Sequence, residues 1–370
     1  MKNWKPELSP NACITHYGNM AQLAGIRCSI LSDGKAAGVE AADIHTGGGL
    51  HLTVLPGRGM DIAGCSYRGV PVSYISKAGI TSPAYYDAHR HQWLKSFFAG
   101  MLTTCGISNA GPECTDIHPI VQEVYYGLHG DISNTGADQV CVWEDWTPEG
   151  YLMEVSGRVC EGRLHGEHLR LRRKVQTYLG KKCFSVSDEY RNEGNRPEPL
   201  MFFYHINIGH PILDEGSRFI APSKKVWANN EVSKAGLSRY DLCSGPQKDV
   251  IEQQFFHEFA VDADGRTTVA LVNDNLELGF YLTFSPQQLP CFAQWKVERE
   301  GEYVLAFEPG NCHPIGRKAQ RELGQLEMLD PMQTHRVDME FGIVDGAEEI
   351  AILREKIAQI QNTASTGGTL

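Results

Sequence analysis

Leu305-Ala306-Phe307-Glu308-Pro309-Gly310 reads as the end of a β-strand with a carboxylate fixed near its last position. Period-two alternation puts Val304, Ala306 and Glu308 on one face and Tyr303, Leu305 and Phe307 on the other. The second face is large and apolar, which predicts packing into a core, so Glu308 projects from the first. Pro309-Gly310 stop the ladder, since proline has no N–H to donate and glycine no side chain to pack. A carboxylate anchored this way is rigid, and burial beside apolar neighbours would raise its pKa toward useful base strength. A solvated glutamate at a strand edge fits the same segment.

Two histidine segments bear on that choice. In Tyr125-Tyr126-Gly127-Leu128-His129-Gly130-Asp131 an imidazole lies between glycines that allow close approach of a ligand to the backbone. Met201-Phe202-Phe203-Tyr204-His205-Ile206-Asn207-Ile208-Gly209 is a strand by its aromatic and β-branched content. Alternation sets Phe203, His205 and Asn207 on one face, against Phe202, Tyr204, Ile206 and Ile208. Two polar groups on an apolar-flanked face suit a pocket wall. Either histidine alone is also compatible with a satisfied core or loop imidazole.

A Leu-His-Gly loop, a strand histidine followed by Asn207, and a late Phe-Glu-Pro-Gly together resemble the aldose 1-epimerase (galactose mutarotase-like) superfamily. The Glu-Pro-Gly is similar to that of its hexose-6-phosphate mutarotase branch. The nearer resemblance is to the group known as domain of unknown function 4432. It runs through Leu55-Pro56-Gly57-Arg58-Gly59-Met60-Asp61-Ile62, the Phe97 to Gly106 segment, Tyr204 to Asn207, and Pro211-Ile212-Leu213-Asp214-Glu215-Gly216. It covers roughly residues 20 to 345. The resemblance implies a mainly β fold with few helices, the galactose mutarotase-like antiparallel β-supersandwich, whose concave sheet holds a sugar. It also implies roles: Glu308 as the base that takes the anomeric hydroxyl proton, His205 as the acid at the ring oxygen, and His129 as a hydrogen-bonding partner there. Such chemistry needs neither metal nor nucleotide, so no cofactor is expected.

Around this trio, Arg58 and Asp61 lie in a glycine-rich turn, where they could grip hydroxyls or pin the turn as a salt bridge. Asn207, Gln294 and Trp295 are further candidates for sugar contacts, the indole by stacking or, alternatively, as core. Asn311 and His313 follow Glu308 closely and could complete one wall or be turn residues. Cys105 reads as a small packed thiol, with no adjacent base in sequence to activate it.

Composition agrees with a soluble enzyme of small molecules. The chain has 370 residues, 42% hydrophobic, with its 38 glycines and 18 prolines spread rather than gathered in a linker. One mutarotase-like domain is therefore expected over residues 1–361, with a disordered tail over 362–370. A net charge of −11 argues against a nucleic-acid partner. No stretch approaches a membrane span, and the first residues lack the apolar run of a secretion signal. Eleven cysteines, an odd number without paired spacing, point to a reducing compartment, the cytoplasm. The partner is a sugar or sugar derivative, and the protein a monomer or homodimer.

Expected strands include Gly49 to Leu55, Val140 to Trp143, Leu169 to Val175, Phe184 to Tyr190, Thr268 to Val272 and Leu278 to Phe284. Pro83 to Met101 is expected to be partly helical. Gly346 to Ile357 reads as a helix with Ile350, Leu353 and Ile357 as its apolar stripe. Two other functions stay open: a metal-dependent sugar isomerase or epimerase drawing ligands from His89, His91, His205, His210, His313 and a carboxylate, and a carbohydrate-binding protein without turnover.

Overall fold

The computed structural model of the protein describes residues 9–366. Three antiparallel sheets dominate it. The largest has eight strands, in the spatial order Arg218–Ile220, Thr267–Asn273, Leu278–Phe284, Thr334–Asp345, Cys183–Asn192, His168–Tyr178, Gly150–Gly162 and Asp138–Thr147. A six-stranded sheet runs Ser223–Ala228, Gln253–Phe259, Cys291–Arg299, Glu302–Gly310, Met201–Ile208 and Thr103–Ile107. Residues 25–71 form a five-stranded sheet.

The two larger sheets differ in how their strands are buried. Gly150–Gly162 and Cys183–Asn192 alternate buried and half-buried residues, one face to the core and one outward. Every residue of Met201–Ile208 is buried, as is all of Glu302–Gly310 after its first residue. These central strands are covered on both sides. Their inner face carries Phe202, Tyr204, Ile206, Leu305 and Phe307 into the main hydrophobic core, which also takes Phe184, Phe280 and Phe341 from the eight-stranded sheet. Full burial of one such phenylalanine contributes roughly 1.5–3 kcal/mol. The outer face is where Glu308 and His205 stand.

The strands expected from sequence all form. Pro83 to Met101 yields two short 3₁₀ turns, Pro83–Tyr85 and Arg90–Lys95. The last helix, Ala347–Thr366, buries Ile350, Leu353 and Ile357 against Ala270, Val272 and Val344 on the eight-stranded sheet, and Ile360 is buried as well. It therefore runs into the segment expected to be a disordered tail; residues 367–370 of that segment, and the opening residues 1–8, lie outside the described residues.

Candidate active site

Strand register brings Glu308 and His205 together. Phe203 pairs with Gly310 and Ile206 with Phe307, which sets His205 directly opposite Glu308 on the adjacent strand. His205 Nε2 stands 3.2 Å from Glu308 Oε1. The other carboxyl oxygen, Oε2, accepts a hydrogen bond from Gln254 Nε2 at 3.0 Å. No lysine or arginine pairs with this carboxyl among the described residues, so burial acts on it with little opposition. Burial pushes Glu308 up to about 8, Gln254 working against the shift and Glu252 with it. Burial pushes His205 down to about 4, Asn207 partly opposing. At neutral pH the pair therefore carries no net charge and one proton between Oε1 and Nε2.

The His129 loop is built by close backbone approach. His129 has φ 56° and Gly130 φ 68°, and a Cβ on Gly130 would lie 2.2 Å from the carbonyl oxygen of Gly106. The close neighbour of these glycines is the chain itself, rather than a ligand. The His129 backbone N–H donates to Gly111 O, its carbonyl accepts from Gly106 N–H, and Nδ1 accepts from Gly111 N–H at 3.2 Å. That last bond leaves the ring proton on Nε2. Burial against Trp93 and Phe203 lowers the imidazole to about 3, with His205 adding to the effect, so His129 acts as a neutral donor.

All three line one cavity of about 530 Å³. Its aromatic wall includes Trp93, Phe97, Phe203 and Trp295, with Phe97 4.9 Å and Trp295 5.1 Å from the His205 ring. Trp295 is held by a hydrogen bond from Nε1 to Glu252 at 3.1 Å. At the mouth, Lys77 and Arg299 both bond to Glu302, Lys77 Nζ at 2.9 Å and Arg299 Nε at 2.8 Å.

Of the seven residues expected to bind sugar, Trp295 lines this cavity and the other six are placed around or behind it. Gln294 points the opposite way, its side chain donating to Tyr240 O and meeting His257 Nε2 at 3.2 Å in the inter-sheet core. Neighbours in a strand face opposite sides, so Gln294 and Trp295 cannot share a wall. Asn207 Nδ2 donates to Gly100 O and His205 O, behind the imidazole. Asn311 ties the end of the Glu308 strand to the His205 strand through Phe202 N and Leu200 O. His313 packs on Phe256 at 4.2 Å.

Arg58 and Asp61 also lie away from the cavity. Arg58 grips carbonyls, donating to Ser133 O at 2.6 Å, to Ser96 O at 3.2 Å and to Thr81 O, and so pins the segment leading into Phe97. Asp61 accepts from Thr104 and from Arg173 in the interior. Cys105 is fully buried, and burial pushes its thiol well above the ordinary range. Among the described residues, no group of three or more His, Cys, Asp or Glu side chains is arranged to hold a metal ion.

Residues of the cavity that the sequence reading passed over are Trp93, Asn229, Glu252, Gln254, Lys77, Arg299 and Glu302. The strand alternation of Gln253–Phe259, with Phe255 and Phe259 to the core, was the available signal for Gln254.

Comparison with known proteins agrees with the geometry. The family described as Domain of unknown function (DUF4432) matches residues 36–343. A crystal structure from Klebsiella pneumoniae subsp. pneumoniae MGH 78578, provisionally named an aldose 1-epimerase, superposes with a TM-score of 0.85 at 27% identity, over 93% of this chain and 91% of that one. A galactose mutarotase-like protein from Clostridium acetobutylicum shares the fold at TM-score 0.61 and 14% identity, over 88% of this chain and 99% of that one. Galactose 1-epimerase from Lactobacillus acidophilus NCFM does so at TM-score 0.56 and 11% identity, over 87% and 99%. No curated protein matches the chain. The fold is thus the galactose mutarotase-like antiparallel sandwich. Among the described residues, no helix is long and apolar enough to cross a membrane.

Proposed function

The chain belongs to the DUF4432 family, and from that premise we propose that it is an aldose 1-epimerase acting on an uncharged sugar. The observation that carries this reading is the 3.2 Å contact between Glu308 and His205 on the wall of a sugar-sized cavity. Anomer exchange breaks the bond from C1 to the ring oxygen and remakes it on the other face. The two oxygens that trade a proton share one carbon, so acid and base must stand close together. From the form in which the shared proton sits on His205 and the charge on Glu308, Glu308 takes the proton of the anomeric hydroxyl while His205 gives its own to the ring oxygen, and His129 Nε2–H steadies charge there. Rotation about C1–C2 and reclosure return both protons. A trio of this kind runs the exchange with its own protons.

The charge inventory supports an uncharged substrate. Lys77 and Arg299, the lysine and arginine among the described lining residues, are both engaged by Glu302. With Glu252 as a second lining carboxylate, the two cations leave no excess positive charge to meet a phosphate or carboxylate. The aromatic wall suits the apolar face of a pyranose. Eleven free cysteines support a cytoplasmic setting.

The test is saturation-transfer NMR between anomers over a panel of neutral aldoses, uronic acids and sugar phosphates, with EDTA present. Exchange on a neutral aldose, slowed ~10²–10⁴-fold in Glu308→Gln, is expected. Exchange confined to the charged sugars would overturn the substrate class. Sugar binding without accelerated exchange would leave a carbohydrate-binding protein instead.

A further inference from the structure

Gln254 has all of its polar groups occupied by the protein. Its backbone N–H donates to Ser233 Oγ at 2.9 Å, and its carbonyl accepts from Asn229 N–H at 3.0 Å. Its side-chain Oε1 accepts from Asn229 Nδ2 at 2.7 Å, and its Nε2 donates to Glu308 Oε2 at 3.0 Å. Ser233 is itself fully buried and held by Asn230 at the start of the Glu231–Gly236 helix. A cavity-lining amide committed in this way is built to orient a neighbour rather than to meet a sugar.

We infer that Gln254 is a positioning residue for Glu308, its amide oxygen bonded to Asn229 and its NH₂ turned to the carboxylate. The inference rests on the reading of Glu308 as the base. With His205 on Oε1 and Gln254 on Oε2, both carboxyl oxygens have a fixed partner and the plane of the group is set. Asn229 donates to the Gln254 oxygen, and the Gln254 NH₂ is turned toward Glu308. An N–H donor there favours the ionised carboxylate, the form that accepts the anomeric proton. The reversed amide would set oxygen against oxygen and favour the protonated acid. The other titratable groups facing Glu308 are His205, His129, Cys105 and Glu252, with the Lys77–Glu302–Arg299 cluster farther out at the mouth. Gln254 and His205 are the two of these contacts that bond to it directly.

The proton inventory sharpens what loss of Gln254 should do. The pair works with one proton on it, so kcat/KM is bell-shaped in pH, its limbs belonging to the pair. Removing the Gln254 donor raises the alkaline limb. It also lowers the plateau, because less of the one-proton state has the proton on His205 and the charge on Glu308. A residue needed only for folding would scale the bell without moving it.

The experiment compares wild type, Gln254→Leu and Asn229→Ala by kcat/KM against pH and by ¹³C NMR of the Glu308 carboxyl in the empty protein. The resonance is assigned by its absence in Glu308→Gln. Gln254→Leu should move the carboxyl midpoint and the alkaline limb up by about one pH unit and lower the plateau roughly tenfold. Asn229→Ala should move both in the same direction by less. Unmoved midpoints in both variants would overturn the inference even if the wild type exchanges sugars. A moved midpoint in a protein that exchanges no sugar would uphold the positioning role and sink the proposed function.

Discussion

On one side of the Met201–Ile208 strand His205 meets Glu308, to which no cation bonds among the described residues; on the other, one residue away, Tyr204 meets Asp188 and Arg173, and Arg173 reaches Asp61. Both clusters are buried. Behind the strand, Arg173 forks onto Asp188 at 2.9 and 2.6 Å and reaches Asp61 at 3.2 Å. Tyr204 donates to Asp188 at 2.7 Å and accepts from Tyr190 at 3.0 Å. Burial works against the Arg173 cation, and Asp188 more than offsets it, so the guanidinium is held well above its ordinary value. In front, burial is barely opposed, and acid and imidazole are pushed in opposite directions. The Arg173–Asp188 fork pairs opposite charges, and burial pushes Asp61, the second carboxyl on the same cation, above its ordinary value. A pair with no cation bonded to it keeps a proton that can move, which is what the proposed function asks of the front side.

The largest effect should come from breaking the back cluster. Arg173→Met leaves two carboxylates in the core without their cation, a loss on the order of 3–5 kcal/mol in chemical denaturation. A loss below about 1 kcal/mol would mean that the Asp188 and Asp61 charges are not held by Arg173, and the contrast between the two sides would collapse.

The front side should behave in the reverse sense. The folded protein holds a proton on Glu308 up to about pH 8, whereas the unfolded chain releases it near the ordinary value of 4.5. Stability derived from that proton is full below the lower value and is lost as pH rises through the upper one. Glu308→Gln stays neutral throughout, so it matches wild type at about pH 5 and exceeds it above about pH 8, by roughly 2–4 kcal/mol. Denaturation across that window checks it; a gap that stays flat would mean the carboxyl is not displaced upward.

The contrast also explains what could be read from the sequence. Strand faces were legible in Tyr303 to Glu308 and Phe202 to Ile208 because successive side chains point to opposite sides, although both strands are buried on both faces. Glu308, His205 and His129 were legible because each sits in a distinctive local motif, and the cavity takes in all three. For Arg58 and Asp61 both readings, sugar grip or structural pin, stayed open because a charged pair in a glycine-rich turn looks the same whether it faces a hydroxyl or a buried guanidinium. Their partners, Ser133 and Arg173, lie 75 and 112 residues away. Gln254 and Trp93 were missed for the complementary reason: neither has a local motif, and each reaches the cavity only through strand pairing or a 3₁₀ turn.

The smallest effect should be the most discriminating, because it asks whether the two sides communicate. Tyr204→Phe removes the hydroxyl that donates to Asp188, while Arg173 keeps its fork on that carboxylate. The hydrogen bond to Asp188 and the one accepted from Tyr190 are both lost, about 2–3 kcal/mol of stability. The ring stays in the core, since Tyr204 faces away from the cavity that His205 enters. If the strand separates the two clusters, the exchange rate per folded molecule stays within about twofold of wild type, a change below about 0.5 kcal/mol in barrier. A tenfold fall at full folding would show that the Asp188 network sets the height of His205 through the strand backbone. The back cluster would then be part of the active site in energy though not in contact.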